Sequence, residues 1–235
     1  MNVLIIIPAY NEGKNLTRLF ERLRQHCPQY DIVVVNDCSK DNTLDVCNAY
    51  GVNIIDLPVN LGIGGAVQAG YKYALRNNYD IAVQVDGDGQ HDPAYVTLLI
   101  EGLMKGADLC IGSRFLEGDG YQSTISRRLG IKYFCELIYI FTGKRIKDPT
   151  SGFRACNRKA IGLFVQDYPK DYPEPESIVS ASRRGMKISE IPVIMNPRKE
   201  GSSSITSLKS VYYMIKVSLA IIIASFCHKP EVKRI

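Results

Sequence analysis

The residues best suited to metal binding or catalysis are two aspartates separated by one glycine. Asp86 and Asp88 follow residues 80–85, an apolar run of strand length. Two carboxylates at this spacing can grip one hard divalent cation, which prefers oxygen ligands and often completes its shell with substrate phosphates. A solvated Asp-Gly turn would have the same sequence. The metal-binding interpretation therefore depends on the elements around the pair.

Those elements alternate in the first half of the chain, where short β-branched runs precede segments of helical periodicity. The alternation predicts an α/β fold with a mostly parallel, Rossmann-like sheet and helices on both faces. The predicted strands are residues 3–7, 32–35, 52–57, 81–85 and 109–111, and the predicted helices are residues 12–26, 41–50, 62–77 and 93–105. Ligands of such folds bind at the carboxyl ends of the strands.

Polar motifs occupy three of those predicted strand ends. Residues 8–12 (Pro-Ala-Tyr-Asn-Glu) follow the first strand, residues 36–41 (Asn-Asp-Cys-Ser-Lys-Asp) follow the second, and the Asp-Gly-Asp follows the fourth. Turn chemistry alone does not explain this coincidence, so one shared site is predicted. The glycines of residues 62–65 open a helix much as a phosphate loop does, although their spacing is not G-x-G-x-x-G.

The second half is less regular. Residues 112–115 close the fifth strand, residues 117–123 are predicted to form a loop, and residues 125–142 an amphipathic helix. Residues 148–154 read as a tight turn and residues 187–194 as the last strand. A polar glycine-serine loop follows at residues 197–204.

Composition limits the class of protein. The 235 residues suit one domain, and the net charge of +5 is mild, so nucleic-acid binding is not predicted. Seven cysteines without a C-x-x-C pair favour a reducing compartment over a disulfide framework. The chain enters a strand at once, without a basic region or a cleavage site, so no signal peptide is predicted.

The C-terminal segment, residues 207–235, is predicted as a separate unit after a domain of residues 1–206. Its longest apolar run, residues 217–227, is too short for a bilayer of ~30 Å hydrocarbon thickness at ~1.5 Å per helical residue. An amphipathic or apolar helix on the cytoplasmic face of the membrane, or docked on a membrane partner, is favoured. The alternative is a helix packed on the protein's own core.

Four motifs together resemble the family-2 glycosyltransferases of GT-A fold. They are residues 8–12, 35–43, 60–66 (Asn-Leu-Gly-Ile-Gly-Gly-Ala) and 86–93 (Asp-Gly-Asp-Gly-Gln-His-Asp-Pro). The subgroup most similar to them contains dolichol-phosphate mannose synthase and bacterial polyprenyl-phosphate glycosyltransferases. The resemblance implies a nucleotide-sugar donor, with Mg²⁺ or Mn²⁺ on its diphosphate. It becomes weaker beyond residues 112–114 and 151–154.

The resemblance implies roles for individual residues. Asp88 would be the principal metal ligand, with Gln90 assisting and Asp86 near the ribose or the metal, whereas His91 is expected to be structural. Asp37 can accept a hydrogen bond from a base N–H, and this is favoured over helix capping. The other residues predicted to bind the nucleotide sugar are Pro8, Tyr10, Glu12, Asn60 and Gly65.

Arginines are the candidate phosphate ligands, because their bidentate geometry suits phosphate. Arg154 and Arg198 are predicted to clamp the donor diphosphate, with Arg198 on a loop that closes over it. Arg127 and Arg128 are predicted to hold the phosphate of a lipid acceptor, and Ser151 is a further candidate for acceptor binding. A solvated charged loop remains the alternative for residues 197–204.

The predicted mechanism depends on whether the acceptor is a phosphate or a hydroxyl. A polyprenyl phosphate needs no general base, whereas the hydroxyl of a lipid-linked glycan needs one, and Glu174 or Glu176 is the candidate. We expect an inverting transfer from a UDP-sugar rather than a GDP-sugar, in cell-envelope polysaccharide synthesis. A small membrane partner, a homo-oligomer and an inactive nucleotide-sugar-binding module stay open. A sugar nucleotidyltransferase would need a glycine-rich basic loop after the first strand, which residues 8–12 lack.

Overall fold

A computed structural model describes residues 1–116, 125–196 and 207–226, with side chains in the last two ranges described from residues 128 and 212 onward. The described residues form one seven-stranded sheet of order β3-β2-β1-β4-β6-β5-β7. The strands are β1 (Val3–Ala9), β2 (Asp31–Asn36), β3 (Asn53–Asp56), β4 (Ile81–Gln84), β5 (Leu109–Ser113), β6 (Arg154–Asn157) and β7 (Ile188–Pro192).

Helices cover both faces of this sheet, as predicted. They are α1 (Gly13–His26), α2 (Thr43–Tyr50), α3 (Gly62–Arg76), α4 (Val96–Met104), α5 (Ile125–Thr142), α6 (Arg158–Gln166), α7 (Pro173–Arg183) and α8 (Ser207–Phe226). Alternate residues of β1 serve two cores: Leu4 and Ile6 face α3 and α6, whereas Ile5 and Ile7 face α1 and α4. This two-sided burial explains why β1 is apolar along its whole length.

Strand β6 was not predicted. The predicted turn at residues 148–154 includes the first residue of this strand, and the four residues Arg154–Asn157 carry no clear period-2 signal. The strand runs antiparallel between β4 and β5, and Arg154 lies opposite Gln84. The first residue of β6 therefore lies at the carboxyl end of β4, which brings the turn at residues 148–153 to the edge that carries Asp86.

Helices α5 and α8 pack side by side and run parallel. The Tyr133 and Ser218 hydroxyls lie 3.0 Å apart, and the rings of Phe141 and Phe226 lie 6.2 Å apart. The inner face of α8 is buried, with Val217 2% and Ile221 0% exposed. Among the described residues, no helix has the length and apolarity needed to cross a membrane.

Candidate active site

The motifs after β1, β2 and β4 surround one cavity of about 430 Å³. Its wall contains seven of the residues singled out in the sequence, Pro8, Tyr10, Glu12, Asp37, Asn60, Asp86 and Asp88, together with Ala9, Gly62, Ile63, Ala66 and Gly87. Gly65 does not line this cavity, and a Cβ there would lie 2.5 Å from the Leu61 Cβ. Arg198 lies outside the described residues.

The Asp-Gly-Asp segment is held as a tight turn. The Gly87 N–H donates to the carbonyl of Pro8 at 3.3 Å, and the positive φ of 73° at Gly89 favours glycine there. One Asp88 oxygen accepts the Gln90 N–H at 3.0 Å, and one Asp86 oxygen accepts from the Gln84 amide at 3.0 Å. Both carboxylates thus reach the cavity with oxygens held by uncharged donors.

His91 has a structural position, in agreement with the sequence interpretation. It is 3% exposed and stacks on Phe153 with ring centroids 4.7 Å apart. Its Nδ1 accepts the Asp86 N–H at 3.0 Å, so a neutral ring carries its proton on Nε2, which lies 3.6 Å from the Asp86 carboxylate. The ring supports the turn from behind.

Asp37 caps a helix, but the helix is α3 rather than the one that follows it in sequence. Its two carboxylate oxygens accept the N–H groups of Leu61 and Gly62 at 2.7 and 2.9 Å, and its carbonyl accepts from the Asn60 amide at 3.1 Å. Each carboxylate oxygen has a second lone pair. The side chain therefore fixes the start of α3 and still lines the cavity.

The loops after β1 and β2 are tied together by reciprocal hydrogen bonds. The Glu12 N–H donates to the Thr43 hydroxyl at 3.0 Å, and the Gly13 N–H donates to Asp41 at 3.1 Å. Desolvation opposes the shift, but hydrogen bonds from Thr43 and Gly13 hold the pKa of Asp41 below its ordinary value. These bonds position Tyr10, which is 46% exposed at the cavity.

Arg154 is placed differently from an exposed phosphate clamp. It is 1% exposed, and its guanidinium donates to the carbonyls of Ser151 and Pro149 at 2.6 and 3.2 Å and to the Ser177 hydroxyl at 2.8 Å. Ser151 is also 1% exposed. The Arg154 side chain joins the turn at residues 149–151 to α7, and the Ser151 hydroxyl accepts the Phe153 N–H at 3.3 Å within the turn.

Gly152 is a site residue that the sequence did not reveal. A Cβ there would lie 3.0 Å from the Gln84 amide nitrogen and 3.1 Å from an Asp86 carboxylate oxygen. The turn before β6 thus lies directly on the Asp86 carboxylate. Only the antiparallel strand creates this approach, so no local sequence signal indicates it.

Glu174 and Glu176 both lie in the first turn of α7. Burial raises the pKa of Glu174 above its ordinary value; the positive charge of Arg154 opposes the shift and the negative charge of Asp86 adds to it. Glu174 is therefore within electrostatic reach of the cavity.

A second cavity, the basic groove, has a volume of about 460 Å³ and runs along α5. It is lined by the cationic residues Arg114, Arg128, Lys132, Arg145 and Lys147, by Glu136, and by Phe115, Ile131, Cys135, Tyr139 and Ile146. Arg128 thus lies in a cationic and partly apolar groove, as an acceptor role would require. The side chain of Arg127 is outside the described residues.

Arg114 is held at the groove by a buried ion pair. Its Nε and Nη2 donate to the two oxygens of Asp148 at 2.6 and 2.7 Å, and Nη2 also donates to the Thr150 hydroxyl at 2.8 Å. Glu190 accepts the Asp148 N–H at 2.8 Å. The segment from Asp148 to Gly152 therefore contacts both Arg114 of the groove and Asp86 of the other cavity.

The arrangement of these motifs matches a known family model. The model for "Glycosyl transferase family 2" matches residues 4–164, which contain every lining residue of the Asp86 cavity. The chain belongs to glycosyl transferase family 2. The predicted family and enzyme class are thereby confirmed.

Relatives of the whole chain carry names of lipid-phosphate glycosyltransferases. "Polyprenol monophosphomannose synthase" of Mycolicibacterium smegmatis is 32% identical over 225 residues, covering 92% of this chain and 85% of the relative. "Undecaprenyl-phosphate mannosyltransferase" of Micrococcus luteus is 32% identical over 215 residues, covering 88% of each chain.

The fold also matches solved structures. A crystal structure of glucosyl-3-phosphoglycerate synthase from Mycobacterium tuberculosis, in complex with Mn²⁺, UDP-glucose and phosphoglyceric acid, has a TM-score of 0.74. It is 17% identical, and the match covers 97% of this chain and 81% of that one. This likeness supports the GT-A-like α/β architecture of the family-2 chain.

Proposed function

We propose that this family-2 glycosyltransferase moves a sugar from a nucleotide sugar, with UDP favoured, to a polyprenyl phosphate, with inversion at the anomeric carbon. The observation that carries the proposal is that one short segment contacts both regions. Gly152 lies against Asp86 of the carboxylate-lined cavity, and Asp148 pairs with Arg114 of the cationic groove. A donor with its metal fits the first, and an anionic acceptor fits the second.

The donor set of the cavity fits Mg²⁺ or Mn²⁺. Asp88 and Asp86 would hold the ion, with Gln90 assisting, and hard cations of this kind take oxygen ligands and leave positions for phosphates. The described residues contain no cluster of three or more His, Cys, Asp or Glu that could hold a metal by itself, in keeping with a site that the donor diphosphate completes. When bound, the ion would supply Lewis-acid stabilisation of the departing diphosphate.

The remaining donor contacts come from the loops around the cavity. The free lone pairs of Asp37 accept from the base, the exposed ring of Tyr10 lies against it, and Glu12 accepts from a ribose hydroxyl. Asn60 and Pro8 shape the same wall. Because the loops are already bonded to each other, these groups need little rearrangement on binding, and this lowers the cost of ordering the site.

The acceptor phosphate is assigned to the basic groove. Arg128, with Lys132 on the next turn of α5, supplies charge for the phosphate, and the apolar lining of the groove suits the first part of a lipid chain. A phosphate monoester oxygen is ionised near neutral pH, so no general base is required. Catalysis is then positioning and charge stabilisation.

Helices α5 and α8 would hold the enzyme at the membrane surface. Their outward residues form one exposed apolar face made of Leu129, Tyr133 and Ile140 on α5 and Tyr212, Ile215, Leu219, Ile223 and Phe226 on α8. Such a face inserts into the headgroup region of a bilayer without crossing it. Residues of the same helix α5 line the basic groove, so the acceptor would enter the groove at the lipid surface.

The test is product analysis with the purified full chain and Mn²⁺. The protein is incubated with UDP-sugars and GDP-sugars, each with a polyprenyl phosphate and, as a matched control, the corresponding polyprenol. Mass spectrometry is expected to find a glycosylated polyprenyl phosphate and none of the polyprenol product. If no nucleotide sugar yields a lipid product or releases nucleotide, the proposal is wrong.

The hydroxyl-acceptor alternative is tested by two matched variants. Glu174→Gln and Glu176→Gln are each expected to retain most of the transfer to polyprenyl phosphate, because that reaction needs no base. Collapse of activity in Glu174→Gln alone, together with transfer to a lipid-linked glycan, would favour a hydroxyl acceptor with Glu174 as its base.

A further inference from the structure

A short loop between α6 and α7, residues 168–172, contacts the start of α3 at one end and α8 at the other. The start of α3 lines the Asp86 cavity, which is called the donor cavity below. Tyr168 anchors it in the core, with its ring 5.5 Å from that of Tyr71 on α3. Tyr172 closes the loop with a positive φ of 51°, a conformation that costs a non-glycine residue free energy. Contacts between Tyr172 and its neighbours must therefore offset this conformational cost.

The cavity end of this loop meets the first turn of α3. The Gly64 N–H donates to the carbonyl of Lys170 at 3.1 Å. This N–H is one of the four at a helix start that have no partner within the helix. A Cβ on Gly64 would lie only 2.1 Å from the Pro169 carbonyl oxygen, so loop and helix touch backbone to backbone. Gly62, Ile63 and Ala66, on both sides of Gly64, line the donor cavity.

The other end of the loop is held by α8. The ring of Tyr213 packs edge-on against Tyr172, with centroids 4.4 Å apart, and against Phe134 of α5 at 5.4 Å. Lys216, one turn further along α8, pairs with Asp171 at 2.5 Å. That pair is exposed, and exposed pairs contribute little to stability. The aromatic contact is therefore the main attachment.

We propose that Tyr213 of α8 is a positioning residue for the donor cavity, acting through Tyr172 and the Lys170 carbonyl on Gly64. The proposal rests on the proposed function in taking the cavity as the nucleotide-sugar site. When α8 is seated, the loop caps α3 and sets the position of the turn at residues 60–66. When the contact with α8 is weakened, some of the molecules lose that geometry. The apparent affinity for the donor then falls in proportion to the fraction of molecules that keep it.

The test uses three full-length variants. Tyr213→Ala removes the ring, and Tyr213→Phe keeps it. Tyr50→Ala is the control, because it removes a comparable ring contact, 5.0 Å from Phe20, in the core on the other face of the sheet. Calorimetry measures the binding of UDP and of GDP, each with Mn²⁺, and thermal unfolding measures the stability of each variant.

Tyr213→Ala is expected to weaken nucleotide binding by about three- to tenfold, the range that loss of one aromatic contact can transmit. Tyr213→Phe should bind as the unmodified chain does, and Tyr50→Ala should lose stability without losing affinity. An equal loss of affinity in Tyr213→Ala and Tyr50→Ala would overturn the proposal, as would no loss in Tyr213→Ala.

Hydrogen exchange in the nucleotide-free protein decides the proposal independently. The Gly64 amide is expected to exchange faster in Tyr213→Ala than in Tyr213→Phe or Tyr50→Ala. Unchanged exchange at Gly64 would refute the coupling. If the unmodified chain binds neither nucleotide, the proposed donor class is wrong, and the exchange result still decides whether α8 positions α3.

Discussion

The donor cavity and the basic groove hold buried charge in opposite ways. In the cavity, backbone N–H groups bind the carboxylates: Leu61 and Gly62 donate to Asp37, and Gln90 donates to Asp88. In the groove, a carboxylate binds the buried arginine: the two oxygens of Asp148 accept hydrogen bonds from Nε and Nη2 of Arg114. Backbone donors leave the net negative charge of a carboxylate in place, whereas an ion pair cancels it.

The difference indicates what each region can bind. The cavity is lined by four carboxylates, Glu12, Asp37, Asp86 and Asp88, which suit a cation. The groove cancels the charge of Arg114 but keeps four further cations, Arg128, Lys132, Arg145 and Lys147, against one carboxylate, Glu136. It therefore attracts an anion. Each of the following variants tests one side of this comparison.

The largest effect is expected from Asp88→Ala. A metal contributes several kcal/mol of transition-state stabilisation, so the transfer rate should fall by about a thousandfold or more, at ~1.4 kcal/mol per tenfold. Transfer assays with Mn²⁺, and UDP binding with and without Mn²⁺, measure the change. Asp92→Ala is the control, because Asp92 pairs with Arg22 at 2.6 Å and does not line the cavity. An unchanged rate in Asp88→Ala would show that the reaction does not depend on a metal bound by Asp88.

The next largest effect is on stability. Asp148→Ala leaves Arg114 buried without its counter-charge, which costs about 3–5 kcal/mol of the free energy of unfolding. Lys159→Ala breaks only the exposed pair with Asp108 and should cost ~0–1 kcal/mol. Urea denaturation measures both variants. If the two variants lose similar amounts of unfolding free energy, the buried pair does not stabilise the segment at residues 148–152 that contacts both regions.

Arg128→Ala tests the groove alone. Loss of one charged hydrogen bond, about 1.5–3 kcal/mol, should weaken the use of polyprenyl phosphate by roughly 10- to 100-fold. Donor affinity should change little, because Arg128 lines the groove and does not line the Asp86 cavity. Arg18→Ala, an exposed arginine on the opposite face of the sheet, is the control. A loss of donor affinity in Arg128→Ala would contradict separate donor and acceptor regions.

The smallest effect concerns Glu174, between the two regions. Burial raises its pKa in the folded protein, so the stability associated with its protonated form is present at low pH and is lost as the pH rises through the raised pKa. Glu174→Gln stays neutral and should therefore gain stability, relative to the unmodified chain, at pH 8 compared with pH 4. Urea unfolding in EDTA at both pH values measures the gain.

Glu101→Gln, at an exposed site, measures the general effect of removing one negative charge. A gain of the same size in that variant would show that burial of Glu174 has no part in the pH dependence.

The sequence predicted the donor side well, because that side is built from local signals. The runs that form β1, β2 and β4 are apolar and are followed at once by polar turns, so parallel pairing alone brings Tyr10, Asp37 and Asp88 together. The position of the turn at residues 148–153 depends on β6, whose four residues carry no periodic signal. The burial of Arg154 and the approach of Gly152 to Asp86 follow from that strand and were not predicted.

The sequence by itself determined the family, the α/β alternation and the edge of the sheet where the carboxylates gather, because apolar strand runs and polar strand ends are properties of short segments. The tertiary structure alone decided that Asp37 caps α3, that Arg154 is enclosed, and that α8 reaches the donor cavity through Tyr172 and Lys170. Those contacts join residues far apart in the chain. Their energies depend on distances that only packing sets.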